Sequence, residues 1–165
     1  MFTSYTQKMN KAVLQDLENY EVGYLLTLNA LTTDLIKHEK LVALLTNWIN
    51  FYCYGRAFRR GEIRLRIVSA SENGSVNQGL HSHLIIMNNN DISRTFQQIE
   101  TFIHRKWYLL INANYKYNQL RNLVDYRLID SLESCLEYIT KTYEYYSNDY
   151  NLRILMNVNS DSART

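Results

Sequence analysis

Apolar residues along this chain recur at two spacings, and the switches between them mark out its elements. Residues 3–20 place Met9, Val13, Leu14 and Leu17 on one side of a helical period, which predicts an amphipathic helix. Glu21–Asn29 (EVGYLLTLN) is a compact apolar run with aromatic and β-branched members, and predicts a strand. Thr33 or Asp34 can cap a helix to about Tyr54, with Leu35, Ile36, Leu41, Leu44, Leu45, Trp48, Ile49 and Tyr52 as its apolar face. Ile63–Glu72 alternates and predicts a second strand. The polar, glycine-bounded Asn73–Gly79 then reads as a hairpin connection to a return strand, Leu80–Met87. Asn88–Asp91 is expected to turn and cap a helix to about Trp107, followed by a short apolar segment at Tyr108–Ile111 and a polar loop. Leu123–Ile129 predicts the last strand. Asp130 is expected to cap a final helix to about Tyr146, and Asn157–Thr165 a frayed tail. The order helix, strand, helix, strand, strand, helix, strand, helix predicts an α+β fold, a central antiparallel sheet flanked by helices.

Composition narrows the class. With 165 residues, 46% hydrophobic and 21% charged, the chain suits one globular domain. It reads as an N-terminal helix (1–20), a main domain (21–150) and a tail (151–165). Cys53 and Cys135 lie in helix-like apolar contexts and are expected to be reduced core thiols. Met1–Asn10 is polar and no run approaches the length of a membrane span, so no membrane association and a cytoplasmic location are expected. The net charge of +2 says little by itself, so any signal for nucleic acid must come from local clustering.

Such clusters exist. Arg56, Arg59, Arg60, Arg64 and Arg66 crowd one stretch opposed only by Glu62 and interleaved with Phe58. Arginines that pair with phosphates beside aromatics that stack on bases suit a single strand or hairpin; a solvated helix end and edge strand would look the same. Arg64 and Arg66 share strand parity with Glu72 and are expected to extend its face. His104-Arg105-Lys106-Trp107 forms a second basic-aromatic cluster, although charges at a helix end often do no more than complement its dipole.

The strongest chemical signal is His81-Ser82-His83. On a strand, alternation turns both imidazoles to one face. A lone pair of this kind is usually incidental. Here Glu72 ends the preceding strand, and a register pairing residues whose numbers sum to an odd value sets it opposite His81 on the same face. Two imidazoles and a carboxylate accept Mg²⁺ or Mn²⁺ and also fit Zn²⁺, with positions left open for a substrate; the alternative is that Glu72 is a solvated hairpin residue. On the final helix, projection at 100° per residue groups Leu132, Cys135, Leu136, Ile139, Tyr143 and Tyr146 in a core-facing arc. Ser131, Ser134, Tyr138, Lys141, Thr142 and Tyr145 fall in another. Tyr138 and Lys141 are neighbours on that face. Ionising a tyrosine at neutral pH costs about 4 kcal/mol, which a nearby ammonium or metal-bound phosphate would reduce. With fourteen tyrosines in the chain, only position can single one out.

Taken in order, Tyr24-Leu-Leu-Thr-Leu-Asn29, Glu72 with Gly79-Leu-His81-Ser-His83-Leu-Ile-Ile, and Tyr138-Ile-Thr-Lys141 resemble the three motifs of HUH endonucleases. More narrowly they resemble the single-tyrosine replication initiators of rolling-circle plasmids and single-stranded DNA phages. The resemblance spans residues 20–146. It implies a ferredoxin- or RRM-like sheet, metal ligands at Glu72, His81 and His83 for Mn²⁺ or Mg²⁺, a nucleophile at Tyr138 and a helix partner at Lys141. The implied activity is nicking and rejoining of single-stranded DNA, or of a hairpin at an origin, through a 5′-phosphotyrosine link. Host helicase and polymerase would be partners, since the chain has no helicase motif, and Arg59, Arg60, Arg64 and Arg66 are the expected DNA contacts. Ser82 departs from the pattern, where a bulky hydrophobic residue usually separates the histidines; pointing to the opposite face, it should affect packing beneath the sheet. Thr142 stands where a second tyrosine would, in keeping with the single-tyrosine class, while Tyr145 is a rival nucleophile. A small single-tyrosine transposase and a catalytically silent nucleic-acid-binding module are the alternative readings.

Overall fold

The computed structural model describes residues 21–30, 32–73, 79–88, 94–115, 123–145 and 153–156, with Lys8, Lys11, Ala12, Leu14, Gln15 and Ile92 besides. In chain order these form β1 (Glu21–Ala30), α1 (Leu35–Tyr54), the short α2 (Arg56–Arg59), β2 (Ile67–Asn73), β3 (Leu80–Asn88), α3 (Phe96–Asn114), β4 (Val124–Leu128), α4 (Leu132–Tyr145) and β5 (Arg153–Met156). The sheet order is β4-β1-β3-β2-β5 with every neighbouring pair antiparallel. Its first four strands and the two long helices between them follow the split βαβ plan of ferredoxin-like folds, so the α+β expectation holds. Among the described residues no helix is long and apolar enough to cross a membrane.

The sheet buries both faces. On one side Leu26, Leu28, Leu84 and Ile86 pack with Leu45 and Ile49 of α1 and Ile103 and Trp107 of α3, forming the larger core. On the other, Leu25, Val68, Ile85 and Met87 pack with Leu136, while Leu132 and Cys135 cover them in part. Gly23 is required where β1 crosses β3: a Cβ there would collide with the Ile86 carbonyl, beside the register irregularity between Glu21 and Tyr24.

Several boundaries differ from the sequence expectation, each for a local reason. β2 begins at Ile67, not Ile63, because the Leu65 N–H donates to Asn50 Oδ1 of α1 at 2.7 Å. α3 runs through Tyr108–Ile111 without a break, since Leu110 and Ile111 extend the buried stripe of Ile99, Ile103 and Trp107. Its cap is Thr95 in a reciprocal capping box with Gln98, downstream of the expected Asn88–Asp91. Asp34 caps α1 as expected, accepting from Lys37 N at 2.9 Å. α4 starts one residue later than Asp130 would place it: the Ser131 hydroxyl accepts from Ser134 N at 3.3 Å.

The buried face of α1 is also rotated from the expected one. Ile36 and Leu44 are exposed, whereas His38, Thr46 and Asn50 are buried beside Leu45 and Ile49. Arg153–Met156 pairs with β2 as β5, a strand within what reads in sequence as a tail. Cys53 and Cys135 are free thiols; burial pushes the Cys53 thiol up to about 12. The expected N-terminal helix, the centre of the Asn73–Gly79 connection and the Asn157–Thr165 tail lie outside the described residues, apart from isolated positions.

Candidate metal centre and tyrosine cleft

Strand register builds the site. β2 and β3 pair Glu72 with His81 and Ala70 with His83, the odd-sum register that puts all three polar groups on one face. Glu72 Oε1 lies 2.6 Å from His81 Nε2 and 3.1 Å from His83 Nε2. One ligand atom from each residue falls within 4.8 Å of the others. Cis ligands on a metal with bonds of about 2.1 Å stand about 3.0 Å apart, so small side-chain adjustments would let these three share one cation. The donor set, two imidazole nitrogens and a carboxylate oxygen, therefore fits a divalent metal. Its surroundings suit ligands too, for His83 is almost fully buried while His81 and Glu72 are only partly so.

β1 supplies a third strand to the site. Thr27 pairs with His83 on one side and with Asp125 of β4 on the other. Its hydroxyl lies 3.0 Å from His83 Nδ1. As arranged, both imidazoles can donate Nε2–H to Glu72, with Thr27 donating to Nδ1. With Nε2 committed to a metal, Nδ1–H would donate to the same hydroxyl, which can play either part.

α4 lies over the site and leaves it open to one side. Leu132, Cys135 and Leu136 seat it on the smaller core, and this turns Ser131, Ser134 and Tyr138 into an open cleft of about 860 Å³. The Tyr138 ring meets His83 edge-on with centroids 5.3 Å apart, and the side chain is 46% exposed, so it can reach a substrate. Lys141 and Tyr145 lie on α4, but their side chains are outside the described residues.

The predicted arginines are not brought to this cleft. Arg59 stacks over Phe51 at 4.4 Å, Arg60 forms an ion pair with Glu62, and Arg64 lies over Phe58 at 5.6 Å. Arg66 keeps the parity of Glu72, its carbonyl accepting from Met87 N at 3.0 Å, but six residues of strand carry it about 20 Å away. Neither Arg64 nor Arg66 is among the residues that line the cleft. The arginine that does line the cleft is Arg127, beside Asp125 at 3.7 Å. Thr27, Asp125 and Arg127 were missed because their place depends on β1 lying between β3 and β4, which no local pattern announces.

Beneath the histidines, Ser82 has a partner set of its own. Its hydroxyl lies 2.6 Å from Ser71 Oγ and 2.8 Å from His38 Nε2, all three fully or almost fully buried. His38 meets Trp107 edge-on, and burial, then the nearby His81, lowers its pKa to about 4. The small residue between the ligands therefore makes room for a buried imidazole from α1.

No protein-family model matches the chain, and no curated protein matches it either.

Proposed function

We propose that this protein nicks and rejoins single-stranded DNA through a covalent link to Tyr138, initiating rolling-circle replication. The observation that carries the reading is the edge-on contact of Tyr138 with His83, which shares Glu72 with His81, at the wall of one open cleft. A nucleophile candidate and a metal-type donor set, placed on different elements, meet there.

Glu72, His81 and His83 would hold Mn²⁺ or Mg²⁺, and such a metal would supply Lewis-acid polarisation of a scissile phosphate. The Tyr138 oxygen, losing its proton, attacks phosphorus in line. The bond from phosphorus to the 3′-oxygen breaks, and that oxygen takes a proton to become a free 3′-hydroxyl. The 5′-phosphotyrosine bond conserves the phosphodiester energy, so attack by a 3′-hydroxyl can reseal the strand. Lys141, three residues on along α4, would favour the phenolate. Arg127 from the cleft wall, with Arg59, Arg60, Arg64 and Arg66 farther out, would contact the DNA backbone. A cytoplasmic location and reliance on host helicase and polymerase belong to the same reading.

The test is incubation of the protein with a pool of labelled single-stranded oligonucleotides and Mn²⁺, followed by mass spectrometry of tyrosine adducts. The expected adduct is on Tyr138, and Tyr138→Phe should lower its yield at least about a thousandfold. An adduct that persists in that variant, or that maps to Tyr145, overturns the assignment.

One observation favours a second reading, a nucleic-acid-binding module without cleavage. Glu72 is already hydrogen-bonded by both imidazoles, so the three residues can satisfy one another with no metal. Binding of DNA without any adduct in Mn²⁺ would favour it.

A further inference from the structure

The side of the molecule opposite the cleft carries a different chemistry. Residues 34–62 and 94–115, which include both long helices of that layer, hold eight lysines and arginines against four carboxylates. The whole chain has 18 against 16, so positive charge is concentrated here and the rest is net acidic. Little of the negative charge faces outward. Glu39 is buried, Glu62 is occupied by Arg60, Glu100 is engaged by Tyr126 and lies 3.8 Å from His104, and the exposed Asp34 caps α1.

The cations are also ordered along a seam. α1 and α3 run antiparallel: Lys37 of α1 donates to the Asn114 carbonyl at one end, and Tyr52 stacks on Phe102 toward the other. Along it, Lys37 lies over Tyr115, Lys106 over Trp48 and Phe102, and Arg94 over Tyr52; Arg59 lies over Phe51 nearby. From Lys37 to Tyr52 the seam is about 22 Å long. A shallow depression of about 390 Å³ opens on it, lined by Tyr52, Gln97, Thr101, Phe102 and Arg105. Rings that hold cations in place reduce the entropy lost when those cations meet phosphate, and a half-exposed Phe51 offers a face for a base.

We propose that the α1–α3 seam is a binding surface for single-stranded nucleic acid, separate from the tyrosine cleft on the other face of the sheet. Its recognition is of backbone phosphates by Arg94, Arg105 and Lys106, with stacking by the adjoining aromatics, and therefore tolerant of sequence. The inference does not depend on the cleavage reading, because the seam shares no residue with the metal cluster.

The test uses the full chain in EDTA, so that binding is read without cleavage, and a fluorescent single-stranded 20-mer followed by anisotropy across a salt series. Changing Arg94, Arg105 and Lys106 together to glutamine should weaken binding at least about tenfold and lower the slope of log K against log salt by about 2, from 0.7 per phosphate contact. Exchanging the same cations instead (Arg94→Lys, Arg105→Lys, Lys106→Arg) should keep the slope, which separates charge loss from misfolding. Unchanged affinity and slope in the glutamine variant overturn the proposal. So does tighter binding of the corresponding duplex, or seam-dependent binding to phosphatidylserine vesicles without oligonucleotide binding.

Discussion

The two faces of strand β3 carry histidine chemistry of opposite kinds. On the cleft face, His81 and His83 converge on Glu72 under a helix that leaves the site open. On the other, Ser82 meets His38 in a layer sealed by α1 and α3. One residue along the strand separates a site that can exchange ligands with solvent from one that cannot. The difference lies in the cover: among the described residues α4 packs on the cleft face through Leu132, Cys135 and Leu136, whereas α1 and α3 together cover the larger core on the other face. A polar residue on a strand is therefore a candidate for chemistry only once its cover is known. The sealed pair is a packing device, since a buried serine and imidazole that satisfy one another let α1 lie close beneath the ligands.

The comparison can be broken at four points. The largest effect is expected on the open face: Glu72→Gln should weaken Mn²⁺ binding, measured by calorimetry, at least about a hundredfold, with little loss of thermal stability. A metal affinity that survives would remove the metal from the open face.

The sealed face should show itself in pH dependence instead. The folded-state pKa of His38, about 4, lies below the ordinary value of 6.5. The unfolded chain therefore takes up a proton over a range where the folded one does not. The stability contributed by neutral His38 is fully present above pH 6.5 and is lost as pH falls from there toward 4. The total is about 3 kcal/mol. Urea unfolding at pH 7.5 and 4.5 checks this, and His38→Leu should flatten the difference. A profile that His38→Leu leaves untouched would mean the imidazole is not sealed.

Next in size, Ser82→Val should cost about 2 kcal/mol, because it leaves Nε2 of a buried imidazole without its partner. Combining it with His38→Leu should recover part of that loss, so thermal melts of the singles and the double should be non-additive. Mn²⁺ affinity should stay within a few-fold of wild type in all three. A large loss of metal affinity in Ser82→Val would show that the two faces are coupled. Smallest is Thr27→Val, which removes the hydroxyl that orients His83. It should lower Mn²⁺ affinity about tenfold, and Thr27→Ser should restore it.

Local pattern went a long way toward these faces. Strand alternation put both histidines on one side; an odd-sum register would set Glu72 opposite His81, and the β2–β3 ladder has that register. Helical projection assigned Leu132, Cys135 and Leu136 to the core and Ser134 and Tyr138 away from it, which is how α4 lies. It went astray on α1, where His38, Thr46 and Asn50 are inside while Ile36 and Leu44 are out, because buried polar groups with partners look like surface residues in a hydropathy pattern. For Arg64 and Arg66, outside the cleft lining, parity states a side of the sheet and says nothing of distance along it.

By itself, then, the sequence determined the alternation of elements and the sides of the strands, since both follow from dihedral periods of 2.0 and 3.6 residues acting over short spans. Only the tertiary structure decided that β1 lies between β3 and β4, which brings Thr27 to His83 and Asp125 to Thr27. It also brought His38 to Ser82 across 44 residues of chain, and Tyr138 to His83. Those meetings depend on which surfaces bury one another best, a property of the whole packed chain that no local period encodes.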